Sequence, residues 1–268
     1  MSLMQHALRA GQTPGPAAPA AAQASALVVG AGGALGAAVL EQALGCGRYA
    51  QVQTLVRTPV APALRGFEAI TLAQLEATGS GSQSARADTA FIIFDRPRHA
   101  NGRDAAFVRP EPDQLAALAG ALKQAGVRRL LVVLPHAAAL LPTALKLGLA
   151  SLDEQAVAAL GFEHALFVRS AQAPQRSAGS PLQRLAFWML GQLHLMVPKQ
   201  DQPVVATTAA RVVVQLSLLL PEARPGTRVV PPELVWHAAQ ARDMTPVLQA
   251  WLHDGTVPQL SRDALPRY

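Results

Sequence analysis

Ala26-Leu27-Val28-Val29 runs without a break into Gly30-Ala31-Gly32-Gly33-Ala34-Leu35-Gly36, and the reading of this stretch decides the fold. Four apolar residues in a row are the length and composition of a buried strand. Behind the glycines, Leu35, Val39 and Ala43 recur at helical spacing, with Leu40 and Leu44 beside them. Gly45 and Gly47 then stop that helix. The glycines therefore sit in a strand-to-helix turn. Their spacing is Gly-x-x-Gly-x-x-Gly at 30, 33 and 36, not Gly-x-Gly-x-x-Gly, because position 35 is Leu.

A turn of this kind is the seat of a dinucleotide pyrophosphate. The first glycine allows a tight turn, a middle one lets the backbone approach the phosphates, and the last lets helix and strand pack closely. The unpaired N–H groups at the helix start then face the anion. The expected contacts are Gly30, Ala31, Gly32, Gly33, Ala34, Leu35 and Gly36. A second strand, 51–56, follows at the right distance and ends in Arg57. An acidic residue at that place would read the ribose of NAD, whereas an arginine accommodates the 2′-phosphate of NADP. Neither Asp nor Glu is there, so the expected preference is NADP(H) over NAD(H). The plainer alternatives are a merely structural glycine turn and a solvated arginine.

Outward from the turn, strands and helices alternate. The spacing predicts strands at 67–70, 90–94, 130–134 and 164–168. Helices are expected at 71–77, 112–125 and 143–160, the second opened by Pro112 and closed by Gly126. Pro59 and Pro62 break the stretch after the second strand. A Gly/Ser loop covers 79–84, and 95–109 is polar and loop-like. Such alternation implies a doubly wound, Rossmann-like parallel sheet of order 3-2-1-4-5-6. The expected organisation is a flexible Ala/Pro-rich tail over 1–24, a dinucleotide-binding core over 25–175 and a small, mostly helical C-terminal lobe over 176–268. In that lobe an apolar helix at 181–196, a turn at 198–203, a helix at 208–220, a short strand at Val229-Val230 and helices opened by Pro232 and Pro246 are expected.

Composition narrows the function classes. The chain has 268 residues, 50% hydrophobic and 15% charged, enough for a sizeable core. Its net charge of +6, from 23 basic and 17 acidic residues, favours anions mildly. Scattered arginines and an aromatic content of 4% give no nucleic-acid footprint. The single cysteine, Cys46, cannot form an internal disulfide, and the seven histidines make no His-x-x-x-His pair for zinc. There is no Gly-x-Ser-x-Gly elbow. No apolar run reaches the ~18 residues of a membrane span, and no signal peptide opens the chain. A cytoplasmic location is expected.

The glycine turn, Leu55-Val56-Arg57 and Ala125-Gly126-Val127-Arg128-Arg129 with its strand resemble the atypical short-chain dehydrogenase/reductases, in particular the NAD(P)H-binding, NmrA-like group. Leu160-Gly161-Phe162, Val168-Arg169 and Pro225-Gly226-Thr227-Arg228-Val229-Val230 look like the same group, in the same order. Active members of that family carry a Ser or Thr after the fifth strand and a Tyr-x-x-x-Lys on the next helix. The tyrosine moves the substrate proton; the lysine lowers its pKa and holds the nicotinamide ribose. Here the fifth strand ends Val133-Leu134-Pro135-His136, the tyrosine position falls near Lys146 and the lysine position near Ala150. No tyrosine lies between Tyr49 and Tyr268.

The missing tyrosine leaves two readings. One is an oxidoreductase acting on a small apolar substrate, in which His136 or Lys146 replaces the proton donor, a role worth ~10²- to 10⁴-fold in rate. The other is an inactive NADP(H)-binding sensor or scaffold that serves a partner. Phe94 and Asp95 stand where the family keeps a small residue. With Leu134 they join the implied cofactor contacts, and they narrow access to the nicotinamide. Arg96 and Arg98, just beyond, are either a solvated basic loop or contacts to an anion.

Overall fold

The computed structural model describes residues 24–59, 64–78, 87–95, 104–136, 151–171 and 204–255. In chain order these form β1 (Ala24–Val29), α1 (Ala34–Gly45), β2 (Tyr49–Val56), β3 (Phe67–Thr71), α2 (Leu72–Thr78), β4 (Thr89–Ile93), α3 (Leu115–Gln124), β5 (Arg129–His136), α4 (Leu152–Ala159), β6 (His164–Ala171), α5 (Ala206–Leu219), β7 (Gly226–Val230), α6 (Pro232–Gln240) and α7 (Thr245–Asp254). Of the expected tail over 1–24, residues 1–23 lie outside the described residues and Ala24 opens β1; the Gly/Ser loop, the apolar helix at 181–196, the first part of the 143–160 helix and the turn at 198–203 also lie outside them.

The strands form one parallel sheet of order β3-β2-β1-β4-β5-β6-β7. The fold is Rossmann-like, a parallel sheet flanked by helices with a helical C-terminal region. The expected order is met and extended. Val229-Val230 belongs to a five-residue strand, β7, which pairs in parallel with β6 from His164↔Gly226 to Val168↔Val230. The helix expected from Pro112 in one piece instead starts as a 3-10 turn, Pro112–Gln114, before α3. Phe94 falls just past β4 rather than inside it.

Central strands buried on both faces read as unbroken apolar runs, and alternate residues serve opposite faces. Val28, Phe91, Ile93, Leu131, Val133, Leu166 and Val168 face α1, α5, α6 and α7. Leu27, Val29, Ile92, Leu130, Val132 and Phe167 face α2, α3 and α4. Helix α5 packs against α1, and its Ala209, Val212, Val213 and Leu216 share one buried cluster with Leu35, Ala38, Val39 and Ala43. The first helix after the turn is therefore clamped between sheet and C-terminal region.

One buried ion pair ties α4 to the end of β6. Arg169 donates from Nη1 and Nη2 to the two carboxylate oxygens of Glu154, both at 2.8 Å. Both side chains are nearly inaccessible. Removing one partner strands a buried charge, whereas replacing both by apolar side chains of similar size need not destabilise. Urea unfolding of Glu154→Gln is expected to lose about 3–5 kcal/mol, and Glu154→Leu/Arg169→Met much less.

His164 at the start of β6 is buried, and burial lowers its pKa below the ordinary histidine value, partly offset by Glu163. The unfolded chain then binds the proton more readily than the folded one, so stability rises with pH. This contribution is present above the unfolded pKa of about 6.5 and is lost as pH falls toward the folded value. Urea midpoints measured below pH 6.5 should therefore fall less steeply with acid in His164→Gln than in the wild type.

Candidate functional site at the glycine turn

Each glycine of the turn is held by a different neighbour. Gly30, at the end of β1, has φ +91°, a left-handed conformation natural to glycine. A Cβ there would also strike the carbonyl of Ile93 at the end of β4. Gly36, in the first turn of α1, packs so closely that its Cβ would strike the Gly30 carbonyl. These are the tight turn and the close helix–strand contact that the motif predicts. The turn sits at the C-terminal edge of the sheet, between β1 and β4, where the strand order reverses. Open α/β sheets bind their ligands at such a switch point.

The middle glycines have a second meaning. Gly33 is the N-cap of α1 and makes no side-chain cap of its own. A Cβ on it would run into the side chain of Asp95, whose Cβ and Cγ lie 2.6 Å from that point. The Asp95 carboxylate accepts a hydrogen bond from the backbone N–H of Leu35 at 2.6 Å. It thus caps α1 from 60 residues further along the chain. A Cβ on Gly32 would lie 2.8 Å from the carbonyl of Asp104. The segment carrying Asp104 is pinned across the end of β2. Arg57 N–H donates to Ala106 O at 2.8 Å, Val108 N–H to Leu55 O at 3.0 Å, and Val56 bridges Phe107. In a dinucleotide site the space over the middle glycines takes the pyrophosphate. In this conformation the chain's own atoms stand over them.

The other candidates are distributed as follows. Ala31 and Leu35 are buried and Ala34 is half-buried at the helix start. Arg57 lies just past β2 with its side chain exposed. Phe94 is buried, in the cluster with α2, α3 and α4, and its N–H donates to Val133 O. Leu134 is half-buried near the end of β5. His136 is the last residue of β5, in register with Ala171 of β6. Lys146, Arg96 and Arg98 lie outside the described residues. The glycine turn, Asp95 and the end of β2 are thus brought together at one edge of the sheet, with β5 ending at the same edge.

Tyr49 is at the opposite edge. It begins β2, beside Ala24 at the start of β1. Its hydroxyl is 2.7 Å from Ser217 Oγ on α5. Ser217 gives its one proton to Val214 O, so Tyr49 donates to Ser217. Burial pushes the Tyr49 phenol up to about 12. A tyrosine so placed cannot serve chemistry at the glycine turn; Tyr268 lies outside the described residues. The Glu154–Arg169 pair is the feature that sequence reasoning missed. Ser151, the N-cap of α4, accepts at Oγ from Glu154 N–H at 3.2 Å, a local pattern that says nothing about Arg169. The Glu154 carboxylate grips Arg169.

No protein-family model matches this chain, and no curated protein matches it either. Solved structures do. A short-chain dehydrogenase from Streptomyces avermitilis is 15% identical with a TM-score of 0.44, covering 86% of this chain and 96% of its own. A short-chain dehydrogenase/reductase (wide type) from Veillonella parvula, in complex with NADP, is 12% identical with a TM-score of 0.42, over 78% and 94%. UDP-glucose 4-epimerase from Brucella ovis, in complex with NAD, is 13% identical with a TM-score of 0.44, over 82% and 79%. Two of these neighbours were solved with a dinucleotide, NAD in one and NADP in the other. The assignment of fold to this chain stands on its own strand order and registers.

The contact between Gly33 and Asp95 makes a coupling prediction. Gly33→Ala should destabilise the wild type by about 1–3 kcal/mol through overpacking. In an Asp95→Gly background, where no Cβ opposes it, the same substitution should cost clearly less. A double-mutant cycle by urea unfolding measures the difference; equal costs in both backgrounds would refute the contact.

Proposed function

We propose that this chain binds NADP(H) at the glycine turn and acts as a nucleotide-responsive binding protein rather than as a tyrosine-dependent carbonyl reductase. The observation that carries the binding half is the geometry of the turn. Gly30 is left-handed at the end of β1, Gly36 lies against its carbonyl, and the N-terminus of α1 opens at the switch point of the sheet. Arg57, exposed just past β2, supports a 2′-phosphate and hence NADP(H) over NAD(H). The bound nucleotide would supply a nicotinamide able to carry hydride. The chain's own part is to hold the pyrophosphate on backbone N–H groups and the 2′-phosphate on Arg57.

The sensor half rests on the tyrosines. Tyr49 is buried at the wrong edge and bonded to Ser217, and no Tyr-x-x-x-Lys exists in the chain. An affiliation with the NmrA-like group agrees with this reading, as does a cytoplasmic setting. The oxidoreductase reading retains one favourable observation: β5 ends in His136 at the same edge of the sheet as the turn. Histidine titrates near neutral pH and can protonate a substrate.

Calorimetric titration of the nucleotide-stripped protein tests the proposal. NADPH should bind clearly more tightly than NADH, and Arg57→Ala should lower NADPH affinity by about tenfold while leaving NADH unchanged. No binding of either nucleotide at millimolar concentration would overturn it. Steady carbonyl reduction that is abolished in His136→Ala would move the balance to the oxidoreductase reading.

A further inference from the structure

The carboxylate on the glycine turn has a consequence for how the site is used. We infer that Asp95 is a built-in competitor of the nucleotide: its carboxylate takes the anion's place at the start of α1, and binding requires it to leave. The inference rests on the proposed nucleotide site and concerns the regulation of that site. Two contacts carry it. Asp95 accepts from Leu35 N–H at 2.6 Å, one of the donors that would otherwise face a phosphate. Its Cβ and Cγ stand over Gly33, in the space that a Cβ at that position would need. A pyrophosphate cannot share this space, and its charge would meet a carboxylate of the same sign.

The neighbouring wall is of another kind. The backbone at Asp104 to Val108 also lies over the turn, but it is tied to β2 by the Arg57–Ala106 and Val108–Leu55 hydrogen bonds and the Val56–Phe107 bridge. Among the described residues, the Asp95 side chain is the one that carries a ligand's sign of charge, takes the Leu35 N–H donor and stands over Gly33. The two states at Gly33 are therefore Asp95 on Leu35 N–H, which leaves no place for a phosphate there, and Asp95 withdrawn, which frees Gly33 and the Leu35 N–H while the Asp104 carbonyl stays over Gly32 in both. When only the withdrawn state binds, the observed affinity is the intrinsic one reduced by the fraction of molecules in that state. Asp95 sets the nucleotide concentration at which the protein responds.

The test is calorimetric titration of the full chain with NADPH on wild type, Asp95→Asn, Asp95→Ala and Glu222→Gln. Glu222 is an exposed carboxylate after α5, and its substitution controls for net charge. Asp95→Ala, which loses both acceptor and charge, should bind NADPH about tenfold more tightly or better; Asp95→Asn, which loses only the charge and still caps, should tighten it by less; and Glu222→Gln should bind as the wild type does. The unliganded Asp95→Ala protein should also melt at a lower temperature, because α1 loses its cap, and should gain more from saturating NADPH. If the wild type binds NADPH and the Asp95 variants bind it equally or more weakly, Asp95 is no competitor and the inference fails while the site stands. If Glu222→Gln tightens binding as much as the Asp95 variants do, the effect is one of net charge and the inference fails. If neither the wild type nor any variant binds, the inference and the nucleotide site fail together.

Discussion

The contact of Gly36 with the carbonyl of Gly30 is the constraint on which the rest of the molecule depends. It brings the first turn of α1 directly onto the end of β1 and sets the angle at which the helix leaves the sheet. With α1 so placed, Leu35, Ala38, Val39 and Ala43 face Val28 and Phe91. The far side of α1 then offers a surface to α5, whose own docking covers that face of the sheet. A single added methyl group at Gly36 would push apart two backbones, which no side-chain rearrangement can relieve. The same contact aims the N-terminal N–H groups of α1 at the switch point between β1 and β4. Fold and candidate site are thus two results of one close approach.

Much of this could be read from the chain. The apolar runs at 26–29, 90–93, 130–133 and 165–168 are long enough to bury both faces, and the glycine and proline stops between them mark the crossings. That pattern has few solutions other than a doubly wound parallel sheet. The third strand was harder to bound because Phe67–Thr71 sits at an edge and is only partly buried. The seventh, Gly226–Val230, is half-buried at Gly226, Arg228 and Val229, exposed at Thr227 and buried only at Val230, and has no long apolar run. Only its pairing with β6 marks it as a full strand.

The site was legible in part. The glycines announce themselves because each has a local reason to lack a side chain. That Asp95 caps α1 was not legible, because the partners are far apart in sequence and a carboxylate after a strand is ordinary. Position alone puts Asp95 among the expected nucleotide contacts; its hydrogen bond to the Leu35 N–H is the observation from which we infer competition instead. The Glu154–Arg169 pair escaped for a similar reason. Arg169 extends an apolar strand by one residue, and nothing local says that a helical glutamate will meet it. Tyr49 illustrates the converse. Its place at the very start of the second strand already sets it at the edge of the sheet away from the turn, and its bond to Ser217 commits it to packing.

The central claim is that the start of α1 exchanges an internal carboxylate for a nucleotide pyrophosphate. The most direct measurement is the ¹H–¹⁵N resonance of the Leu35 amide, followed while NADPH is added to the isotope-labelled protein. Leu35 should shift together with Gly32 and Gly33 and saturate with them, because its N–H passes from Asp95 to phosphate. A Leu35 resonance that stays in place at saturating NADPH would contradict the account, since the nucleotide would then bind elsewhere or not at all.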